Sequence, residues 1–157
     1  MGRALDMKVG RSDQGWEIAV CDVDLTAKGK ELFGRDKLVR IERHRRYPDH
    51  DSRLTHRQPL QRIQQMHRDI VSECPPGVTL LGSSPRCAVQ GMYLPRRFIT
   101  VQGHPEFNGE IETEIIENRA RMGVFSENQA QEALGRVHNE HDGVSIGATF
   151  LRFLLED

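Results

Sequence analysis

The sequence predicts an α/β domain in which strands come first and helices follow. Three observations predict this class. Residues 16–25 alternate between apolar and polar side chains, as a strand with one buried face does. Residues 98–102 form an apolar run with the length of a buried strand. Residues 110–122 instead space their apolar side chains three to four apart, which is typical of an amphipathic helix.

The first strand and its following helix are the best-defined elements of the N-terminal part. Trp16, Ile18 and Val20 fall on one face of the strand over residues 16–25. Residues 26–34 then form a short predicted helix that a glycine ends. Further strands are predicted over residues 62–66, 78–83, 87–94 and 98–102.

Three helices are predicted after the last strand. The first spans residues 110–122, with Ile111, Ile115 and Ile116 on its apolar face. Ser126 and Gln129 have the spacing of a capping box, so a second helix is expected to run from there to about residue 137. The third, over residues 144–155, is expected to pack against the domain through Phe150, Leu151, Leu154 and Leu155.

The composition indicates a globular protein without an electrostatic bias. A length of 157 residues suits one domain, and 22 Lys+Arg against 23 Asp+Glu leave a charge of −1, which argues against nucleic acid or an anionic membrane as partner. No apolar run reaches the roughly 20 residues of a membrane helix, and no secretory signal opens the chain. Cys21, Cys74 and Cys87 are too few and too far apart for a disulfide framework or a C-x-x-C metal site. Reduced thiols in the cytoplasm are therefore expected.

The turn after the last predicted strand carries the strongest chemical signal. Its sequence is TVQGHPEF, residues 100–107. His104 and Glu106 stand two residues apart, which suits a base whose tautomer is held by an acid. The alternative is a polar turn in which Glu106 only favours the start of the next helix. The local sequence leaves both interpretations open.

Residues 102–107, QGHPEF, resemble the His/Glu segment of class I glutamine amidotransferases. QQMHRD at residues 64–69 resembles the segment of that family beside the substrate glutamine. The resemblance continues in GWE at 15–17, DVDLT at 22–26, LGSS at 81–84 and VQGM at 89–92. It implies a three-layer, flavodoxin-like α/β fold of which this chain is the C-terminal part. The resemblance implies that the relatives of this chain are small stand-alone members, such as those of fungal type.

The resemblance also implies roles for individual residues. His104 would be the general base and Glu106 its orienting acid. The residues expected to line the glutamine pocket are Met66, His67, Arg68 and Asp69, although His67 could instead pack in the interior. The implied substrate is glutamine, with no metal and no organic cofactor. Its ammonia would pass to an acceptor bound by a synthase or other partner enzyme, or be released.

The nucleophile of that family, a cysteine in G-x-C-x-G-H-Q, has no counterpart in this sequence. None of the three cysteines has the flanking glycines of a tight elbow. Residues 2–5, GRAL, resemble the helix that follows the elbow, so the chain is expected to start just after the missing cysteine and to be inactive by itself. Three functions stay open: an amidotransferase that lacks its N-terminal half, a non-catalytic protein that binds a partner or metabolite, and a γ-glutamyl peptide hydrolase with the same Cys/His arrangement.

Residues 38–61 differ from their surroundings. This segment, LVRIERHRRYPDHDSRLTHRQPLQ, holds six arginines, three histidines and no lysine, and its apolar residues follow neither period. It can be a solvated loop, a basic site for phosphate or acidic partners, or translated intron. We favour the intron, because 24 codons suit a short fungal-type intron and the family pattern resumes directly after Gln61. Residues 1–157 are therefore interpreted as a partial amidotransferase domain with an atypical insert.

Overall fold

A curled antiparallel sheet with helices on both faces forms the structure, a computed structural model that describes residues 1–34 and 60–155. The strands in these residues are β1 (Val9–Arg11), β2 (Glu17–Leu25), β3 (Leu60–His67), β4 (Asp69–Val71), β5 (Thr79–Ser84), β6 (Cys87–Leu94) and β7 (Phe98–Val101). The helices are α1 (Ala27–Phe33), α2 (Gly109–Arg121), α3 (Glu127–Leu134) and α4 (Gly143–Leu155), and Gly2–Leu5 forms a short 3-10 helix.

The main sheet has the strand order β3-β2-β5-β6-β7, and each of its pairings among the described strands is antiparallel. β1 and β4 form a separate antiparallel pair. The main sheet curls, because the chain that leaves β7 returns to β3. There the His104 N–H donates to the Gln64 carbonyl oxygen at 2.8 Å. The curl places the turn after β7 directly against β3, the strand at the opposite edge of the sheet.

The sheet is the middle one of three layers, as predicted. Met66 of β3 packs in a cluster with Ile116 of α2 and with residues of α3. Ile63 of the same strand packs in a second cluster with Phe33 of α1 and Ile146 of α4. Residues an odd number apart on a strand point to opposite faces. The two clusters therefore lie on opposite sides of the sheet.

Capping residues set the starts of three helices. The Thr26 hydroxyl accepts from the first turn of α1 and donates to the Leu80 carbonyl at 2.7 Å, which ties the helix to β5. Asn108 accepts from the first turn of α2. Ser126 and Gln129 form the predicted capping box at α3.

The predicted strands and helices are confirmed, with differences at their ends. β6 has the predicted bounds, and α1 lies within the predicted range of residues 26–34 and ends before the predicted glycine. α3 ends at Leu134, earlier than predicted, because Gly135 follows it. β7 lies at the edge of the sheet and its residues are only half-buried, so the prediction of a buried strand is wrong. The three-residue strands β1 and β4 are too short to give a periodic signal.

Helix α4 packs through one face only. Ile146 is fully buried and Phe150 packs beside it, but Leu151 is 65% exposed. Leu154 and Leu155 are also exposed, so the prediction that all these leucines pack is wrong. They lie on the side of α4 that faces away from the sheet. Among the described helices, none is both long enough and apolar enough to cross a membrane.

The predicted insert lies largely outside the described residues. This applies to its residues 38–59. The sequence pattern also places Leu60 and Gln61 in the insert, but both belong to β3. Gln61 is buried opposite Val23 of β2. The strand therefore starts two residues before its predicted position.

Candidate functional site

His104 and Glu106 form a hydrogen-bonded pair in the turn after β7. The distance from His104 Nδ1 to Glu106 Oε1 is 2.9 Å. The imidazole also stacks on the Phe107 ring, with 4.1 Å between centroids and 7° between planes. The hydrogen bond from the His104 N–H to the Gln64 carbonyl oxygen fixes the backbone of His104. Because Glu106 engages Nδ1, Nε2 is the nitrogen that is left for proton transfer, on a side chain that is 36% exposed.

The pairing favours the ionised form of Glu106. Burial raises the pKa of this carboxyl. The hydrogen bond from His104, a bond from the Glu106 N–H and the charge of His104 together outweigh burial and lower the pKa below its usual value. At neutral pH the carboxylate can therefore orient the imidazole and stabilise its charged form.

Gly103 lets this turn lie directly on β3. A Cβ atom at this position would stand 2.8 Å from the Gln64 carbonyl oxygen and 3.0 Å from Gln65 Oε1. Both glutamine side chains are fully buried. The Gln64 amide donates to the Val137 carbonyl at 2.8 Å. Within residues 1–34 and 60–155, the side-chain oxygens of both glutamines lack a hydrogen-bond partner.

A chain of buried polar side chains runs from Gln65 through the curled sheet. Gln65 Nε2 donates to Gln90 Oε1 at 3.0 Å, and Gln90 Nε2 donates to Glu17 Oε2 at 2.7 Å. The same Glu17 oxygen lies 3.2 Å from His67 Nε2. Burial raises the pKa of Glu17, but its interactions with His67, Ser84 and Gln90 prevail and the net pKa is lowered. The chain therefore ends in a buried carboxylate beside a buried imidazole.

The four residues predicted to line a glutamine pocket, Met66 to Asp69, follow one another from the end of β3 into the start of β4, and their side chains have different surroundings. Met66 packs in the cluster beneath α2, and His67 is paired with Glu17. Arg68 is half-buried and its Nε donates to a backbone carbonyl in the turn between β1 and β2. Asp69 is exposed and pairs with an arginine of β1 at 3.3 Å. The strand that carries them nevertheless passes beside the turn of His104.

The three cysteines are poor nucleophiles where they stand. Burial raises the pKa of all three thiols, and that of Cys87 reaches about 11. Each thiol donates to a nearby backbone carbonyl. Cys21 also lies 3.4 Å from the Arg136 guanidinium, which lowers its pKa less than burial raises it. A thiolate is the attacking species in cysteine catalysis, so none of these thiols is activated.

Glu112 of α2 is a second carboxyl group whose ionisation His104 influences. Its side chain is completely buried, and Oε1 accepts from the Ala19 N–H at 3.3 Å. Oε2 has no partner in the part of the chain that the structure describes. Burial raises the pKa of Glu112 to about 7, against the Ala19 bond and the charges of His104 and Arg119, which lower it.

The sequence patterns did not single out Glu17, Gln65, Gln90 or Glu112 as functional residues. A signal exists for Glu17 and Gln90, since each is a polar residue within a predicted strand whose neighbours are not polar, whereas Gln65 follows another glutamine. For Glu112 the spacing of apolar residues in α2 predicts the wrong buried position. The apolar face predicted for α2 contains Ile111, yet Ile111 is 42% exposed while Glu112 points inward.

The curated relatives that this chain matches are glutamine amidotransferase-like proteins and γ-glutamyl peptidases. A glutamine amidotransferase-like protein of Schizosaccharomyces pombe is 32% identical over 156 residues, which are 99% of this chain and 54% of the relative. A glutamine amidotransferase of Saccharomyces cerevisiae is 25% identical over 154 residues, 98% of this chain and 51% of the relative. γ-Glutamyl peptidase 3 of Arabidopsis thaliana is 38% identical over 71 residues, 45% of this chain and 28% of the relative. The chain thus spans about half the length of the two fungal proteins, and no family model matches it.

Solved structures show which fold the chain has. A glutamine amidotransferase of Thermotoga maritima matches it with a TM-score of 0.65 and 18% identity, over 99% of this chain and 58% of that one. A second, from Methylobacillus flagellatus, has a TM-score of 0.61 and 13% identity, over 98% and 57%. At such identities the likeness concerns the fold alone. The chain has the class I glutamine amidotransferase fold, which confirms the predicted fold class.

Proposed function

We propose that this chain supplies the proton-transfer half of a glutamine-hydrolysing active site. The observation that carries the proposal is the 2.9 Å bond between His104 Nδ1 and Glu106 Oε1, which leaves Nε2 as the base. The similarity to glutamine amidotransferase-like proteins supports glutamine as the substrate.

In the proposed reaction a cysteine thiolate attacks the side-chain amide carbon of glutamine. His104 takes the thiol proton on Nε2 and then gives it to the departing nitrogen, which leaves as ammonia. Water hydrolyses the thioester and releases glutamate. Glu106 stabilises the imidazolium that forms on the way. The ammonia then reaches an acceptor on a partner enzyme or is released.

We propose that the nucleophile lies in a segment preceding these 157 residues in the intact protein. The high pKa values of the three thiols support this, since none is ready to attack. The chain also spans only about half of its fungal relatives. Val144, Leu151 and Leu155 expose apolar side chains at helical spacing on α4, a surface that suits contact with the rest of a domain. The 157 residues alone are then inactive towards glutamine.

Residues 66–69 retain a proposed place beside the substrate, but through their backbone. The side chains of Met66 and His67 are committed to buried contacts. Gln64 of β3 pairs with His104, so the end of β3 lies only a few residues from that turn. A substrate bound at His104 would therefore lie near the backbone of residues 66–69.

Free thiols at all three cysteines agree with the proposed cytoplasmic location.

Hydrolysis of γ-glutamyl peptides is a second candidate function. Its support is the 38% identity to γ-glutamyl peptidase 3 over 71 residues. The two reactions break the same kind of bond, an amide of the glutamate side chain, and would use His104 and Glu106 in the same way. They differ in the group that leaves, which is ammonia in one and an amino acid or peptide in the other.

The experiment uses the chain by itself and a hybrid. The hybrid carries, before residue 1, whatever part of the S. pombe relative precedes the region that it shares with this chain. Ammonia release from glutamine and amino-acid release from a γ-glutamyl dipeptide are measured for both. We expect activity from the hybrid only. His104→Ala should lower it by about 100-fold or more, and Glu106→Gln by on the order of 10–100-fold.

His138→Ala is the matched control, because His138 is an exposed histidine beyond α3. It should leave the hybrid's activity unchanged. Activity of the chain by itself that depends on one of its own cysteines would refute the proposal of a separate nucleophile. A folded hybrid that carries its cysteine and hydrolyses neither substrate would instead favour a non-catalytic binding protein.

We also propose that residues 38–61 derive largely from a retained intron. A transcript that carries these codons in frame, together with peptides from this segment in the native protein, would contradict it. A native protein that lacks these peptides would support the intron proposal. If it also extends further at its N-terminus, that would support the proposal that the nucleophile precedes these 157 residues.

A further inference from the structure

We propose that Glu17, His67 and Cys87 form a site for a transition-metal cation of the Zn²⁺ type. One ligand atom from each of these residues lies within 4.8 Å of the others. Glu17 opens β2 and stands directly opposite His67, the last residue of β3. Cys87 opens β6. This inference does not depend on the proposed glutaminase function.

The imidazole of His67 supports the assignment independently. His67 is only 8% exposed, and neither of its ring nitrogens makes a hydrogen bond of good geometry within the described residues. Its Nε2 lies 3.2 Å from Glu17 Oε2 at ion-pair distance. A buried polar group without a hydrogen-bond partner is costly. A cation held between Nε2 and Glu17 Oε2 would give this nitrogen a partner of good geometry.

The distances are close to those of a tetrahedral centre. Zinc binds nitrogen and oxygen at about 2.0–2.1 Å and sulfur at about 2.3 Å, so neighbouring ligand atoms lie about 3.3–3.6 Å apart. The Glu17–His67 distance of 3.2 Å matches such an edge. Cys87 Sγ, within 4.8 Å of both, would have to approach by about 1.2 Å at most. That movement breaks the bond from the thiol to the Val89 carbonyl oxygen at 3.3 Å.

The donor set selects the class of cation. Thiolate and imidazole favour zinc and similar metals over Mg²⁺ and Ca²⁺, which prefer oxygen ligands. The thiol loses its proton to solvent when the metal binds, so thiolate and carboxylate together balance two positive charges. Gln90 Nε2 holds the Glu17 carboxylate at 2.7 Å and also lies 3.0 Å from Ser84 Oγ, as outer partners of metal ligands do. A water molecule would complete four ligands.

Two surface cavities lead towards these residues. One, of about 430 Å³, has Cys87 in its wall, and another, of about 500 Å³, has Glu17 in its wall. Pro85 and Arg86, in the tight turn between β5 and β6, line both cavities. A cation therefore has a short path past this turn. The sequence pattern implies no metal, because the three ligands come from separate strands and show no ligand spacing.

Cobalt(II) is the probe, because its thiolate complexes absorb light and Zn²⁺ displaces it. The chelator-treated chain is titrated with Co²⁺ alone and then with Zn²⁺. We expect one Co²⁺ per chain, a thiolate-to-cobalt absorption band, and its loss on adding Zn²⁺. Cys87→Ala should abolish the band, and His67→Ala should weaken binding by more than tenfold. Cys74→Ala, which removes a free thiol elsewhere, is the control and should retain both.

A missing band, or one that survives Cys87→Ala, would overturn the assignment. Circular dichroism tests whether each variant is folded. If the variants do not fold, X-ray absorption of the zinc-loaded unmodified chain decides. One sulfur at about 2.3 Å with nitrogen and oxygen at about 2.0 Å supports the site, whereas a first shell without sulfur contradicts it.

Discussion

Replacing Glu112 by Gln should change how the stability of this protein depends on pH. Burial raises the pKa of Glu112 in the folded chain from its ordinary 4.5 to about 7. At about 1.36 kcal/mol per pH unit, this difference corresponds to an upper limit of about 3 kcal/mol. Because the folded state binds this proton more tightly, its contribution is complete below pH 4.5 and is lost as the pH rises through about 7.

Glu112→Gln imitates the protonated group and cannot ionise. Its side-chain oxygen can still accept from the Ala19 N–H. The variant should equal the unmodified chain in free energy of unfolding below pH 4.5 and exceed it at pH 8.5 by up to about 3 kcal/mol. Urea unfolding followed by circular dichroism between pH 4 and 8.5 measures the difference. Glu114→Gln, at an exposed position of the same helix, is the control and should follow the unmodified chain.

Equal pH slopes for Glu112→Gln and the unmodified chain would refute the reasoning. Other titrating groups act on both proteins alike, so the difference between the two curves isolates Glu112. A variant that is destabilised equally at both pH extremes would show that Glu112 acts through packing alone.

Two further substitutions test the packing around the site. Gly103→Ala brings a Cβ within 2.8 Å of the Gln64 carbonyl oxygen, so it should lower the free energy of unfolding by about 1–3 kcal/mol, whereas Gly10→Ala, with nothing within 4 Å, should change it little. Ile146→Ala should cost about 2–5 kcal/mol because the side chain is fully buried, and Leu151→Ala on the exposed side of α4 should cost less than about 1 kcal/mol. Urea unfolding measures both pairs, and equal effects within a pair would contradict the described packing.

The parts that the sequence predicts well are those that local spacing determines. The capping box of Ser126 and Gln129 needs residues only three apart, and it is present as expected. His104 and Glu106 are two residues apart in a short turn, so their pairing follows from the local chain. β6 keeps its predicted bounds because a turn limits it on each side.

The parts that escape sequence analysis depend on distant partners. Glu17 and Gln90 are 73 residues apart on strands that β5 separates in the sheet order, and they meet only because the sheet is curled. Alternation along a strand shows that a side chain points inward, but not which polar group it will meet there. The spacing of apolar residues in α2 predicts that Ile111 faces the interior. In the structure Ile111 is exposed, and Glu112 is buried and accepts a hydrogen bond from the Ala19 N–H. Ala19 has a φ of 60°, an irregularity of β2 that no apolar pattern reveals.

The buried carboxyl of Glu112 links the stability of the fold to the chemistry proposed for His104. The charge of His104 lowers the pKa of Glu112, so the two groups attract each other when both are ionised. An ionised Glu112 would therefore favour the imidazolium that forms during proton transfer, while its burial costs stability above pH 7. Glu112→Gln should then have opposite effects at pH 8.5, a more stable chain and a slower hybrid enzyme. If the variant gains stability without loss of rate, Glu112 serves the fold alone, and the Glu106 carboxylate is sufficient to stabilise the charged His104.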